Sequence, residues 1–205
     1  MGTSNTREFI LESASRLFAT AGYSAVSMRD VASESGVTPA NLYHYFKDKE
    51  DLVRESLAFV FTDKTNPIEE IMKSPGDPAK RMERFLLWFS WLLMEDVIFS
   101  KLLFRELLDG DGSRLKYLAE NVFQSPFSIL VQLIDDYFET SDPVFVAVSI
   151  VGALLGHCQL SGMVSYLKEG KPERISPEAI TRQIMMELQF KVRATNKSVG
   201  RSENA

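Results

Sequence analysis

Ile10, Ala14, Leu17, Phe18 and Ala21 recur at the three-to-four spacing of a helix that buries one face. Asn5 and Glu8 have the spacing of an N-terminal capping box, and Gly22 stands where a left-handed stop belongs. After a link over 23–26, Ser27 and Asp30 open a short second helix carrying Val31 and Ala32, which Gly36 ends. Thr38 is placed to cap a third helix. Pro39 then falls at the first helical position, where a missing N–H costs nothing. Leu42 and Phe46, four apart, lie on one side of that helix. Asp48 and Asp51 begin a fourth, with Leu52, Val53, Leu57, Val60 and Phe61 facing inward.

Pro67 and then Pro75, Gly76, Asp77 and Pro78 punctuate the chain. Long helices are predicted over 79–95 and 98–108, with "DGDGS" at 109–113 as a loop. Another spans 114–140 and holds Pro126, which predicts a kink. Pro143 opens a helix with no charged residue before Lys168, then 168–177 is a polar loop and 177–192 the last helix. No strand alternation and no internal repeat occur, so the fold class is all-α, with about nine helices. The expected organisation is a three-helix domain at 1–47, a connecting helix at 48–66, a larger helical domain at 67–193 and a disordered tail at 194–205. That tail carries little apolar content.

The 205 residues are 45% hydrophobic, enough for a full core. A net charge of −5 argues against general nucleic-acid affinity, so any such role needs a local patch. Cys158 is the sole cysteine, which excludes an intrachain disulfide and a multi-cysteine metal site, and suits a reducing cytoplasm. "MGTSNTREF" lacks the apolar core of a secretory signal. The uncharged helix is long enough to span a bilayer. Its Ser149, His157, Gln159, Ser161 and Ser165 instead suit a core or subunit interface, and no membrane is expected.

The second helix, the turn at Gly36–Thr38 and the third helix have the lengths and turn content of a helix-turn-helix. Such a unit lays its second helix in the major groove, so one face anchors and the other reads. Leu42 and Phe46 are the anchors. Thr38, Ala40, Asn41, Tyr43, His44 and Tyr45 face outward or sideways: Ala40 permits close approach, Asn41 can read a base edge, and a tyrosine hydroxyl can hold a phosphate. Lys47 and Lys49 are placed for phosphates, and Arg29 joins them among the cations of the segment. Plainer roles stand beside these: Tyr43 packed on the first helix, Lys47 merely solvated. Residues 1–54 hold as many acids as bases or more, so the basic patch must come from geometry.

The ordered run "LFATAGYSAVSMRDVASESGVTPANLYHYFKDKEDL" closely resembles the DNA-binding domain of the tetracycline-repressor (TetR) family, over about Arg7 to Leu57. The resemblance implies a cytoplasmic homodimer, a palindromic double-stranded DNA operator and a small-molecule effector of unknown identity. It implies DNA contact at Ser27, Thr38, Pro39, Ala40, Tyr43, His44, Tyr45 and Lys49. Two positions depart from the family: many members carry a base where Pro39 stands, and glycine or another small residue where Ala40 stands.

Beyond residue 78 the aromatics concentrate. Phe85, Trp88, Phe89, Phe104, Phe123 and Phe127, with His157 and Ser161 as polar groups, are candidates to line an apolar effector pocket, although such stripes are also plain core. Gly152, Ala153 and Gly156 permit close helix approach. With Ile180, Ile184 and Leu188 they are the candidate dimer interface. An enzyme is not expected: His157 and Cys158 are adjacent on a helix and point about 100° apart, so they form no dyad. The stretch 109–120 mimics a calcium loop but has Arg114 where glycine is needed, so neither metal nor cofactor is expected. The alternative to an effector-controlled regulator is a helix-turn-helix protein acting through a protein partner.

Overall fold

The computed structural model describes the backbone at residues 3–137, 140–171 and 175–202, and side chains at 5–137, 140–171 and 175–189. Among the described residues every regular element is helical. The chain forms two compact units, residues 1–66 with 96–125, and residues 67–95 with 126–205.

The first unit contains α1 (Thr3–Ala21), α2 (Met28–Glu34), α3 (Pro39–Tyr45), α4 (Lys49–Thr65), α7 (Val97–Asp109) and α8 (Gly112–Leu118). Its core joins Ile10, Ala14 and Phe18 of α1 to Leu52, Leu57 and Phe61 of α4 and Phe99 and Leu102 of α7. Phe61 meets Phe99 edge-on at 5.1 Å between ring centroids, a favourable quadrupole geometry, and lies 5.5 Å from Phe123. α1 begins before Asn5, so Asn5 lies inside the helix and caps nothing. Gly22 ends α1 at φ 83°, and a Cβ there would meet Arg105 Nη1 at 2.9 Å. That approach has a purpose: Arg105 donates to the last carbonyls of α1, at Ala19 (3.3 Å) and Thr20 (3.1 Å), bringing a cation to the negative end of the helix dipole.

The second unit contains α5 (Pro67–Lys73), α6 (Pro78–Glu95), most of α9 (Gln124–Tyr137), α10 (Pro143–Val164) and α11 (Pro177–Ser202). α6 packs against both α10 and α11, burying Met82, Phe85, Leu86 and Leu93 with Ile150, Leu154, Ile184 and Leu188. The sequence pattern does not announce α5. Pro67 starts it instead of interrupting the chain, since proline fits a first turn.

Two further expectations change form. The irregularity predicted near Pro126 is a π-helical turn over Ala119–Phe123, between α8 and α9. Proline removes an amide donor and its ring crowds the carbonyl of Val122, and a wider turn accommodates both. The last helix runs past Val192 to Ser202. The "DGDGS" loop shrinks to Gly110 and Asp111, because Asp109 closes α7 and Asp111 caps α8 through the amide of Arg114 (2.9 Å). Residues 138–139 of the predicted helix, 172–174 of the polar loop and 203–205 of the tail lie outside the described residues.

Candidate nucleic-acid interface

α2 and α3 are seven residues each, too short to persist alone, so their ends and anchors must fix them. Ser27 caps α2 reciprocally: its hydroxyl accepts from the amide of Asp30 (3.2 Å), and the Asp30 carboxylate accepts from Ser27 N–H (2.8 Å). The Ser27 hydroxyl also donates to that carboxylate (2.6 Å), and these bonds hold Asp30 below the usual carboxylate range. Gly36 turns the chain at φ 64°, a conformation that favours glycine. Thr38 caps α3 by accepting from Asn41 N–H (3.2 Å), with Pro39 at the first position. Asp48 caps α4 through Asp51 N–H (2.8 Å), and Asp51 accepts from Lys47 N–H (3.1 Å).

Leu42 and Phe46 are 0% and 1% exposed, as an anchoring face requires. Each contributes about 1.5–3 kcal/mol by burial. Arg7 of α1 lies over the Phe46 ring at 5.4 Å and pairs with Glu55 of α4 at 2.7 Å, tying α1, α4 and the end of α3 together. The opposite face of α3 is open. Thr38, Pro39, Ala40, Asn41, Tyr43 and His44 are exposed, Tyr43 at 55%; Tyr45 is half-buried with its ring against His44 at 5.6 Å. Ser27, Arg29 and Lys47 are exposed as well. Tyr43 is therefore not packed away on α1. The segment presents rings with polar ends, an amide and cations, all on a backbone set by caps.

Lys49 is half-buried, and its ammonium lies 4.1 Å from the centroid of the Tyr23 ring. Sequence reasoning gave Tyr23 no role. It also read Arg114 only as a misfit in a calcium loop. Arg114 is a buried cation, 2.7 Å from Glu106 and 4.8 Å from the Tyr23 ring centroid. Burial alone would push its pKa down, but Glu106, Asp111 and Glu50 outweigh that and hold it above its ordinary value. Burial is likewise the main cause raising Tyr23, with the charge of Glu50 next. No local pattern announces Tyr23, Glu50 and Glu106 as partners of Arg114, since they come from the turn after α1, from α4 and from α7.

The candidate ligand residues fall in both units. Phe85, Trp88 and Phe89 cluster with centroids 5.8–5.9 Å apart, and Phe127, His157 and Ser161 share their unit, whereas Phe104 and Phe123 belong to the other. Phe85 is buried core, Phe123 packs on Phe61, and His157 is exposed on α10. The second unit carries an open groove of about 440 Å³ between α6 and α11, lined by Lys80, Arg84, Glu178 and Arg182 among others and by none of the candidate ligand residues. Periodicity reports that a side chain faces inward, not which interior it shares.

The dimer candidates also divide. Ile180, Ile184 and Leu188 are 3–5% exposed within the chain itself, against α6 and α10, so they are core and offer nothing to a partner. Over 177–189 the apolar stripe of α11 is used internally. Gly152 and Ala153 are exposed on α10, Gly156 is half-buried, and a Cβ at either glycine would meet nothing within 4 Å. Around them Phe145, Val148, Leu160 and Met163 are more than half exposed, and of α10 only Ala147, Ile150 and Leu154 are buried. α10 is also the described helix long and apolar enough to cross a membrane, with 17% of that span covered.

Residues 10–56 match the family model described as bacterial regulatory proteins, tetR family. An uncharacterised HTH-type transcriptional regulator of Bacillus subtilis, YxaF, is 34% identical over 83 residues, 40% of this chain and 44% of that protein. The HTH-type transcriptional repressor KstR2 of Rhodococcus jostii is 35% identical over 82 residues, 40% of each chain. The similarity thus spans less than half the length of these relatives. In fold, the chain is similar to the Bacillus subtilis transcriptional regulator FadR, solved in complex with stearoyl-CoA. The TM-score is 0.72 at 18% identity, over 87% of this chain and 95% of that one.

Proposed function

We propose that the chain, whose residues 10–56 match the tetR family of bacterial regulatory proteins, is a DNA-binding transcriptional regulator of that family. The observation that carries the reading is α3: an anchored helix whose free face offers Thr38, Asn41, Tyr43 and His44 between the cations Arg29 and Lys47. Its hydroxyl, amide and imidazole groups suit base edges and phosphate oxygens. The protein works in the cytoplasm as a homodimer on a palindromic operator, with the two α3 helices one helical turn of DNA apart, about 34–36 Å. The uncovered stripe of α10 around Gly152 and Gly156 supports the pairing.

The mode is repression relieved by a small, largely apolar effector. The ring cluster of Phe85, Trp88 and Phe89 supports an apolar site in the second unit. A ligand that favours the form with mismatched recognition helices releases the DNA. Gel shift with DNA from upstream of the chain's own gene, at two salt concentrations, tests the first step. Specific binding that weakens with salt is expected; a chain that binds no fragment, or binds all alike, refutes the reading. Thermal shift with apolar and amphipathic metabolites tests the second.

A further inference from the structure

The surroundings of Arg114 play no part in that function as it stands. The residue is 5% exposed. Its Nε donates to Glu106 Oε2 at 2.7 Å, and Nη1 lies 3.7 Å from Glu50 Oε2 and 3.8 Å from Asp111 Oδ2. The same group lies over the Tyr23 ring at 4.8 Å, and Lys49 Nζ lies over that ring at 4.1 Å. One ring therefore carries two cations. One of them is a candidate phosphate contact; the other grips the residue next to it in the chain. The second oxygen of Glu50, Oε1, is buried without a hydrogen bond; Arg114 pairs with the first at 3.7 Å, and the carboxylate also acts on the Tyr23 hydroxyl.

We propose that Arg114 is a positioning residue for DNA binding. It draws the half-buried Glu50 carboxylate toward itself and fixes the Tyr23 ring on which the Lys49 ammonium rests. Because it is buried, Arg114 acts through these two groups. The inference rests on the DNA-binding reading and names a control point within the same site. Its physical content is electrostatic. A carboxylate released beside Lys49 would compete with phosphate for that ammonium and repel the DNA backbone. A planar, forked guanidinium suits the task better than an ammonium, since it can bond a carboxylate in plane and stack on a ring with its face.

An ordinary buried ion pair would affect stability alone. The test separates the two roles by titrating a fluorescent duplex, taken from upstream of the chain's own gene, with the full chain over a series of salt concentrations. Arg114→Met is expected to weaken binding about ten-fold and to flatten the dependence of log K on log salt by about 0.9 for each phosphate that Lys49 no longer neutralises. Adding Glu50→Gln should restore most of the affinity, which a purely structural role would not produce. If Arg114→Met does not fold, Tyr23→Leu leaves the ion pairs intact and should give the same flattening. Wild-type affinity and slope in both single variants overturn the proposal, as does a folded Arg114→Met that Glu50→Gln fails to rescue. A wild-type chain that binds no duplex removes the DNA reading itself, and this inference with it.

Discussion

α3 and α10 both show ring or apolar surface to solvent, and they do so in opposite ways. α3 has seven residues and is held by a cap at Thr38 and by the buried Leu42 and Phe46; its exposed ring, Tyr43, ends in a hydroxyl. α10 has 22 residues, is long enough to hold its own backbone bonds, and exposes Val144, Phe145, Val148 and Met163. A polar-tipped face is stable in water and can exchange that water for phosphate oxygens. An aliphatic face is stabilised only when another apolar surface covers it, at about 25 cal/mol per Å². Length and tip chemistry thus suit α3 to the charged, wet partner and α10 to the apolar, dry one of the proposed function.

The sharpest way to break that contrast is to charge α10. In a two-fold dimer, Val148→Asp places a carboxylate on both copies, and burying each costs several kcal/mol. Sedimentation should show monomers at micromolar concentration. Helicity should persist, because Val148 is 55% exposed in the chain and supports little of its core. A dimer that survives Val148→Asp would take α10 out of the interface.

Next in size is Phe46→Ala, which removes an anchor that is 1% exposed and should cost about 3–5 kcal/mol in urea unfolding. Tyr43→Ala on the free face of the same helix should change stability by no more than about 0.5 kcal/mol. Binding of upstream DNA should weaken in both, and only in Tyr43→Ala without loss of fold. Equal destabilisation by the two substitutions would mean that α3 has no free face.

The devices that fix α3 were legible in the sequence because each acts within four residues: Ser27 with Asp30, Thr38 with Asn41, Asp48 with Asp51, and the left-handed glycines at 22 and 36. Fold class followed from the same periodicity. What stayed hidden acts over distance. Arg105 caps α1 from 86 residues away, and Arg114 reaches Glu50 and Tyr23 from α8. A lone arginine in a sequence does not name its partners. The hydrophobic pattern misled in a different way at α11, where Ile180, Ile184 and Leu188 mark an apolar stripe without saying whether their own chain or a second copy covers it. α10 is apolar on most sides, so its pattern could not tell the buried side from the open one.

The smallest expected effect concerns the helix that supports α3 and depends on pH. Ser27 bonds to Asp30 through both its hydroxyl and its amide, and those bonds hold the Asp30 carboxyl below its ordinary value. An acid with a lowered folded-state pKa binds fewer protons folded than unfolded. Its contribution is therefore present in full above the unfolded pKa and is lost as pH falls through the folded one. Ser27→Ala should lower the melting temperature by a few degrees at neutral pH, about what the loss of a helix cap produces. The gap between variant and parent should narrow as pH falls below the ordinary aspartate range and through the lowered folded-state pKa of Asp30. It should not close, because the Ser27 hydroxyl still accepts from the Asp30 amide when the carboxyl is neutral. Melts at pH 7 and pH 3 decide the matter: a gap that is the same at both would mean the charge on Asp30 adds nothing to the cap, and that α2 is held at its start by the neutral bond and at its buried face by Val31 and Ala32.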